Sequence, residues 1–111
     1  MNVNNVMLTG RIGNIDKKVF DSGKTVQRIS LAYHNAYKSK SGDWVNETLW
    51  FPVVFWSDKE LQIGTKVMVE GSLDVNKYKT KEGKDRSEVV ILAFRVQVVS
   101  VPADKEAEID K

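Results

Sequence analysis

The chain has 111 residues and no cysteine, so neither a disulfide framework nor a thiolate metal site can form in it. It has one histidine, His34, and a lone imidazole builds neither a histidine metal cluster nor a catalytic imidazole pair. No apolar run approaches the roughly 18 to 20 residues that cross a bilayer, which argues against a membrane protein. The opening Met1-Asn-Val-Asn-Asn5 also lacks the basic and then apolar order of a secretory leader. These absences lead us to expect a cytoplasmic protein without metal or cofactor. Charge of one sign is scarce too. The net charge is +2, and because the last ten residues hold two basic and four acidic side chains, the rest of the chain carries +4. A mildly basic body of this kind does not by itself name nucleic acid as a partner.

What the chain does have is a concentration of large flat side chains. All three tryptophans fall in Trp44–Trp56, six residues apart. Side chains alternate across a β-strand, so Trp44, Trp50 and Trp56 share one face while Val45, Leu49, Phe51, Val53 and Phe55 share the other. The second set is apolar except for Glu47, as a buried sheet face requires. The tryptophan face also carries Asn46, Thr48, Pro52 and Val54, a mixture unsuited to a sealed core. Flat rings on a half-polar face either stack against partners from outside, of which nucleobases are the common kind, or pack under loops or against another subunit.

The remaining chain divides into short strands. Val6, Leu8, Gly10 and Ile12 alternate with Met7, Thr9 and Arg11 in a first strand over residues 5–13. A further extended piece, Ile15 to Phe20, leads to a turn at Asp21–Lys24. The second strand, about Thr25 to His34, points Ile29, Leu31 and Tyr33 inward, with Gln27, Arg28 and Ser30 among its polar positions. A polar loop, Asn35 to Asp43, precedes the tryptophan strand. Ser57 or Asp58 can start a short helix that Gly64 stops. The fourth strand sets Val67, Val69, Leu73 and Val75 against Lys66, Met68, Glu70, Ser72, Asp74, Asn76 and Tyr78, with a glycine interruption at Gly71. The hairpin Lys77–Arg86 carries five basic residues around Tyr78, and the fifth strand, about Ser87 to Val101, is apolar on both faces over Val89–Val96. Five strands, glycine kinks in the first and fourth, and a single short helix between the third and fourth describe an all-β, five-stranded OB-fold barrel over residues 1–101. Residues 102–111 read as a short disordered polar tail. A β-sandwich of the same strand count is the alternative fold.

The segments Asn5–Gly13, Ile29–Ala32, Glu47–Phe55, Gly64–Leu73 and Gly83–Arg86, taken in this order, resemble the bacterial-type single-stranded DNA-binding proteins over about residues 2–101. The resemblance implies sequence-tolerant binding and protection of single-stranded DNA in replication, recombination and repair, by a nucleoid-associated homotetramer. It places base-stacking roles on Tyr37, Trp50, Trp56 and Tyr78, with Trp44 an additional aromatic. Phosphate contacts would come from Arg11, Lys38, Lys40, Lys66, Lys77, Lys79, Lys81, Lys84 and Arg86. Two features depart from the family pattern. The Ser57–Gly64 segment is short, and the sequence closes on Glu108–Lys111 in place of a long linker with an acidic Pro-Phe tip, so recruitment of replication or repair proteins through such a tail is not implied. An enzymatic reading fares worse, since Glu70 and Asp74 share a strand face but no third carboxylate lies at coordinating spacing. The alternative is an OB-fold accessory protein, primosome-like or RNA-binding, acting mainly through protein contacts; the primosome-like form would not need this set of aromatics, whereas nothing in the sequence excludes RNA affinity of a cold-shock-like barrel.

Overall fold

The computed structural model describes residues 1–102. It contains five strands, β1 (Val6–Val19), β2 (Thr25–Lys38), β3 (Trp44–Trp56), β4 (Lys66–Lys79) and β5 (Asp85–Ser100), closed into a barrel in the order β1-β2-β3-β5-β4. All neighbours are antiparallel except β3 and β5, which close the barrel through two parallel pairs, Val53↔Ile91 and Val54↔Leu92. The architecture is the expected all-β barrel.

Strand β1 serves two partners: Val6–Arg11 lies along β4 and Arg11–Val19 along β2, with a bulge between Ile12 and Asn14. A strand that changes partners must coil sharply, which brings backbones close together. A Cβ at Gly10 would stand 2.5 Å from the Ala32 carbonyl oxygen, and one at Gly71 would collide with the Leu92 carbonyl. The three hairpins close alike, through Phe20–Lys24, Ser39–Asp43 and Thr80–Lys84, each with a glycine (Gly23, Gly42, Gly83) at φ between 82° and 89°. Side chains with a Cβ rarely adopt that conformation, which explains the repeated Ser-Gly and Glu-Gly of the sequence.

The core is the inward set Ile12, Ile29, Leu31, Val53, Phe55, Val67, Val69 and Ile91. Tyr33 is half-buried and meets Phe51 edge-on, with ring centroids 6.4 Å apart. The inward parity of β4 stops being buried at Leu73 and Val75, which are 49% and 50% exposed. The alternation there is as the sequence indicates, but the β4–β5 hairpin has left the barrel and both its faces meet solvent. The same holds for Leu49 on β3. Gln27 departs from its polar assignment in the other direction, sharing the inward parity of Ile29 and Leu31 at 1% exposure.

Gln27 also accounts for the one element that the sequence reading placed and the structure lacks. No helix occurs among the described residues, and Ser57 to Thr65 runs as an irregular strap across the end of the barrel. The Gln27 amide donates to the carbonyls of Ser57 and Lys59, both at 2.8 Å, and so occupies acceptors that a first helical turn would need. Farther on, the Gly64 amide donates to the Ile12 carbonyl (2.7 Å) and the Ile12 amide to Thr65 (2.9 Å). Two turns of helix are too few to offset nucleation, whereas the strap gains these bonds and seats Leu61 on the core. The tail expected over residues 102–111 lies, beyond Pro102, outside the described residues.

Candidate nucleic-acid interface

The register fixes which side chains share the outer surface. In the β2–β3 pair Trp44, Trp50 and Trp56 stand opposite Lys38, Ala32 and Val26. They therefore point to one side, and that side is outward: the three rings are 66%, 58% and 62% exposed. Along β3 each is separated from the next by roughly 20 Å of strand.

Each ring has a distinct seat. Trp50 reaches across β2 to lie over Gly13, where an added Cβ would sit 2.5 Å from its Cη2 atom. The bulge glycine thus meets the outer edge of the ring's six-membered part. Trp56 meets the Phe20 ring, with centroids 5.5 Å apart and a 34° tilt, and Lys18 Nζ lies 5.0 Å from the centre of Phe20. Trp44 sits at the tip of the β2–β3 ribbon with Lys38 Nζ 5.8 Å over its ring, so a cation already covers part of that ring. Tyr37 stands opposite Val45, on the other face of the ribbon from Lys38 and Trp44. Both faces of the ribbon are open at that point, and Tyr37 is 45% exposed.

Tyr78 lies on the projecting β4–β5 hairpin, opposite Arg86 and 48% exposed. Lys77 and Lys79 take the alternate parity, opposite Ser87 and Asp85. Lys81 and Lys84 are exposed at the tip, as Lys40 is at the tip of the other ribbon. Arg11 and Lys66 form a separate group. They face each other across β1 and β4, and because Arg11 also pairs with Ala32, the row Lys66, Arg11, Ala32, Trp50 runs across four strands on the outer face. The basic side chains singled out in the sequence therefore fall into three clusters, at the two hairpin tips and beside Trp50.

One ion pair crosses this surface. Arg28 Nη2 donates to Glu88 Oε2 at 2.7 Å. Arg28 is on β2 and Glu88 on β5, with β3 between them, so the pair spans the outward face of β3 between Trp50 and Trp56. The hydrogen bond from Arg28 holds the Glu88 carboxyl below its ordinary value, and the same bond raises the guanidinium's. Sequence reading left this pair out because its members are 60 positions apart. It also gave His34 no role, although His34 lines the depression beside Arg11 and Lys66.

The family model described as the single-strand binding protein family matches residues 3–99. The chain belongs to this family. Among relatives, it is 30% identical to the single-stranded DNA-binding protein of Thermosynechococcus vestitus, across 96% of this chain and 90% of that protein. It is 32% identical to the protein of the same name from Xanthomonas campestris, across 87% of this chain and 60% of the relative, so it spans less than two thirds of that longer family member. The solved structure described as a Plasmodium falciparum SSB complex with ssDNA superposes with a TM-score of 0.81 at 25% identity, covering 90% of this chain and 97% of that one. The family resemblance carried by the ordered sequence segments is thereby established.

Proposed function

We propose that this protein binds single-stranded DNA without strong sequence preference and protects it during replication, recombination and repair, without catalysing a reaction. The observation that carries this reading is the line of outward tryptophans on β3, with the edge of Trp50 seated on Gly13 and more than half of its surface exposed. Stacking on such rings is worth about 1 to 3 kcal/mol per base and tolerates any sequence, because every base has a π-face. Trp50 and Trp56 are the principal platforms, with Trp44, Tyr37 and Tyr78 contributing from the ribbon and the hairpin. Arg11, Lys38, Lys40, Lys66, Lys77, Lys79, Lys81, Lys84 and Arg86 neutralise phosphates. The binding unit is a single domain over residues 1–101, working in the cytoplasm at the nucleoid.

A homotetramer is part of the same proposal. It is supported by the edge of β1 over Val6–Gly10, which has β4 on one side and no β2 pairing on the other, and by exposed Met7, Phe94 and Val99. The test of binding is a titration with oligothymidylates of increasing length, followed by tryptophan emission. Quenching that saturates and weakens steeply with salt is expected, together with much weaker binding of duplex of the same sequence. Equal affinity for duplex and single strand would refute the stacking mechanism. Sedimentation that finds only monomer at micromolar concentrations would remove the tetramer.

A further inference from the structure

At the end of β3 the surface holds a depression of about 490 Å³, lined by Trp56, by Gly23, Lys24 and Thr25 where the β1–β2 turn enters β2, and by Asp58 on the strap. A carboxylate and an ammonium thus border one space beside an exposed ring. Among the described residues neither Lys24 nor Asp58 forms an ion pair, with the other or with any third group. Gly23 leaves open space where a Cβ would stand, and Trp56 remains 62% exposed although Phe20 meets it with ring centroids 5.5 Å apart. Room is left over the ring. A carboxylate repels a phosphate, so this depression suits a different part of a nucleotide. Because a carboxylate only accepts hydrogen bonds and an ammonium only donates them, the two together match an edge that carries a donor and an acceptor side by side.

The strap fixes where Asp58 stands. The Ser57 amide donates to the Thr25 carbonyl (3.0 Å), the Gln27 side-chain amide to the carbonyls of Ser57 and Lys59 (both 2.8 Å), and the Lys59 amide to Ser57 Oγ (3.1 Å). The backbone is therefore tied on both sides of Asp58. None of these bonds uses its side chain.

The geometry points to a base-reading role for Asp58, which accepts a hydrogen bond from the exocyclic amine of a base on Trp56 and so makes this one platform favour cytosine over thymine or uracil. This rests on the single-strand reading above and deepens it, because it gives one platform a preference that stacking alone lacks. Cytosine offers its N4 amine to Asp58 and its O2 to Lys24. Thymine and uracil carry a carbonyl oxygen in place of that amine, and a carboxylate repels it. Bases of a single strand are open to such contacts on their Watson–Crick edges. One selective platform among several leaves binding as a whole tolerant of sequence. The bland alternative is a solvated carboxylate that weakens the binding of every base alike. Preferences of sequence-tolerant binders otherwise arise from stacking strength and strand flexibility, which belong to the DNA and would survive the loss of Asp58.

The test uses the full chain and two oligomers of equal length, one of deoxycytidine and one of deoxyuridine, whose bases differ in the exchange of the amine for a carbonyl and in the N3 proton that accompanies it. Titrations at neutral pH, followed by tryptophan emission, should show the wild type binding the deoxycytidine oligomer more tightly. Asp58→Ala should lower the ratio of deoxycytidine to deoxyuridine affinity by roughly 2- to 10-fold, the worth of about one hydrogen bond. Glu60→Gln removes the same charge from the same strap, where Glu60 pairs with Lys17 at 2.8 Å, and should leave the ratio at the wild-type value whatever it does to both affinities. An Asp58→Ala protein that binds both oligomers with the wild-type ratio would overturn the base-reading role and leave the stacking reading intact. The wild-type chain decides without a substitution as well, since equal affinity for the two oligomers would also overturn the role. A wild-type chain with no affinity for either would refute the single-strand reading and this inference with it.

Discussion

Gly13→Ala separates binding from folding at one atom. Gly13 is the bulge residue of β1, and the Cβ of an alanine there would stand 2.5 Å from Trp50 Cη2 and 3.5 Å from Cε3, so the ring must leave its seat. Gly13 does not adopt a positive φ, so the alanine brings no backbone strain. The restriction of the unfolded chain favours the variant by about 0.4 to 1 kcal/mol, which offsets part of the ring packing lost. Stability should therefore stay within about 1 kcal/mol of wild type. Affinity for oligothymidylates should fall by up to the worth of one stacked base, about 1 to 3 kcal/mol, or roughly 5- to 150-fold. Gly71→Ala is the contrasting case. Its Cβ would collide with the Leu92 carbonyl and lie 2.7 Å from Ala93 Cα, and both are backbone that cannot turn aside. Overpacking of that kind costs about 1 to 3 kcal/mol or more, and each kcal/mol lowers Tm by roughly 4 °C or more in a domain of this size. Thermal melts by circular dichroism and titrations by tryptophan emission read the two effects separately. A Gly13→Ala protein that melts with wild-type cooperativity and binds with wild-type affinity and quench would refute the seating of Trp50 as the source of binding.

Phe55→Ala removes a ring that is 4% exposed and should destabilise the fold by about 3 to 5 kcal/mol in chemical denaturation, whereas Trp56→Ala, one residue on and outward, should cost mainly affinity. The Arg28 and Glu88 side chains are 41% and 32% exposed, so a double-mutant cycle in urea should give the pair only about 0.5 to 1 kcal/mol at neutral pH. Because the folded state depresses the Glu88 carboxyl below its ordinary 4.5, that contribution is complete above pH 4.5 and is lost as pH falls below it. Glu88→Gln should raise affinity for poly-dT a few-fold, since it frees Arg28 and removes a negative charge between Trp50 and Trp56; unchanged or weaker binding in the same titration would contradict the placement of the pair on the strand's path.

The fold was legible where the sequence pattern and the barrel impose the same constraint. The alternation in Val6–Ile12, Ile29–Leu31, Val53–Phe55 and Val67–Val69 became the core because a closed barrel buries every second residue of each strand. Leu73 and Val75 continue that alternation into solvent, since periodicity records which way a side chain points and not how far the barrel extends. The helix expected after Ser57 fails for a related reason. Capping and stop signals describe a segment in isolation, and the competing acceptor sites were taken by Gln27, 30 and 32 positions earlier in the chain. Nothing local to Ser57–Gly64 announces that Gln27 is buried beneath it.

The shared face of the tryptophans was legible because parity within one strand needs no partner. What the rings rest on was not, because Gly13, Phe20 and Lys38 meet Trp50, Trp56 and Trp44 only through the register of β1 and β2 against β3. These supports make the three tryptophans unequal. Trp50 rests its edge on a glycine, Trp56 shares its surface with a second aromatic, and Trp44 has a lysine ammonium over its ring. Between the first two lies the Arg28–Glu88 pair, so on the proposed binding mode a strand that occupies both platforms would have to draw Arg28 away from Glu88 or detour around it. On the proposed stacking, the residues beside and between the rings make the three platforms unequal, since they differ at every platform although the rings are the same.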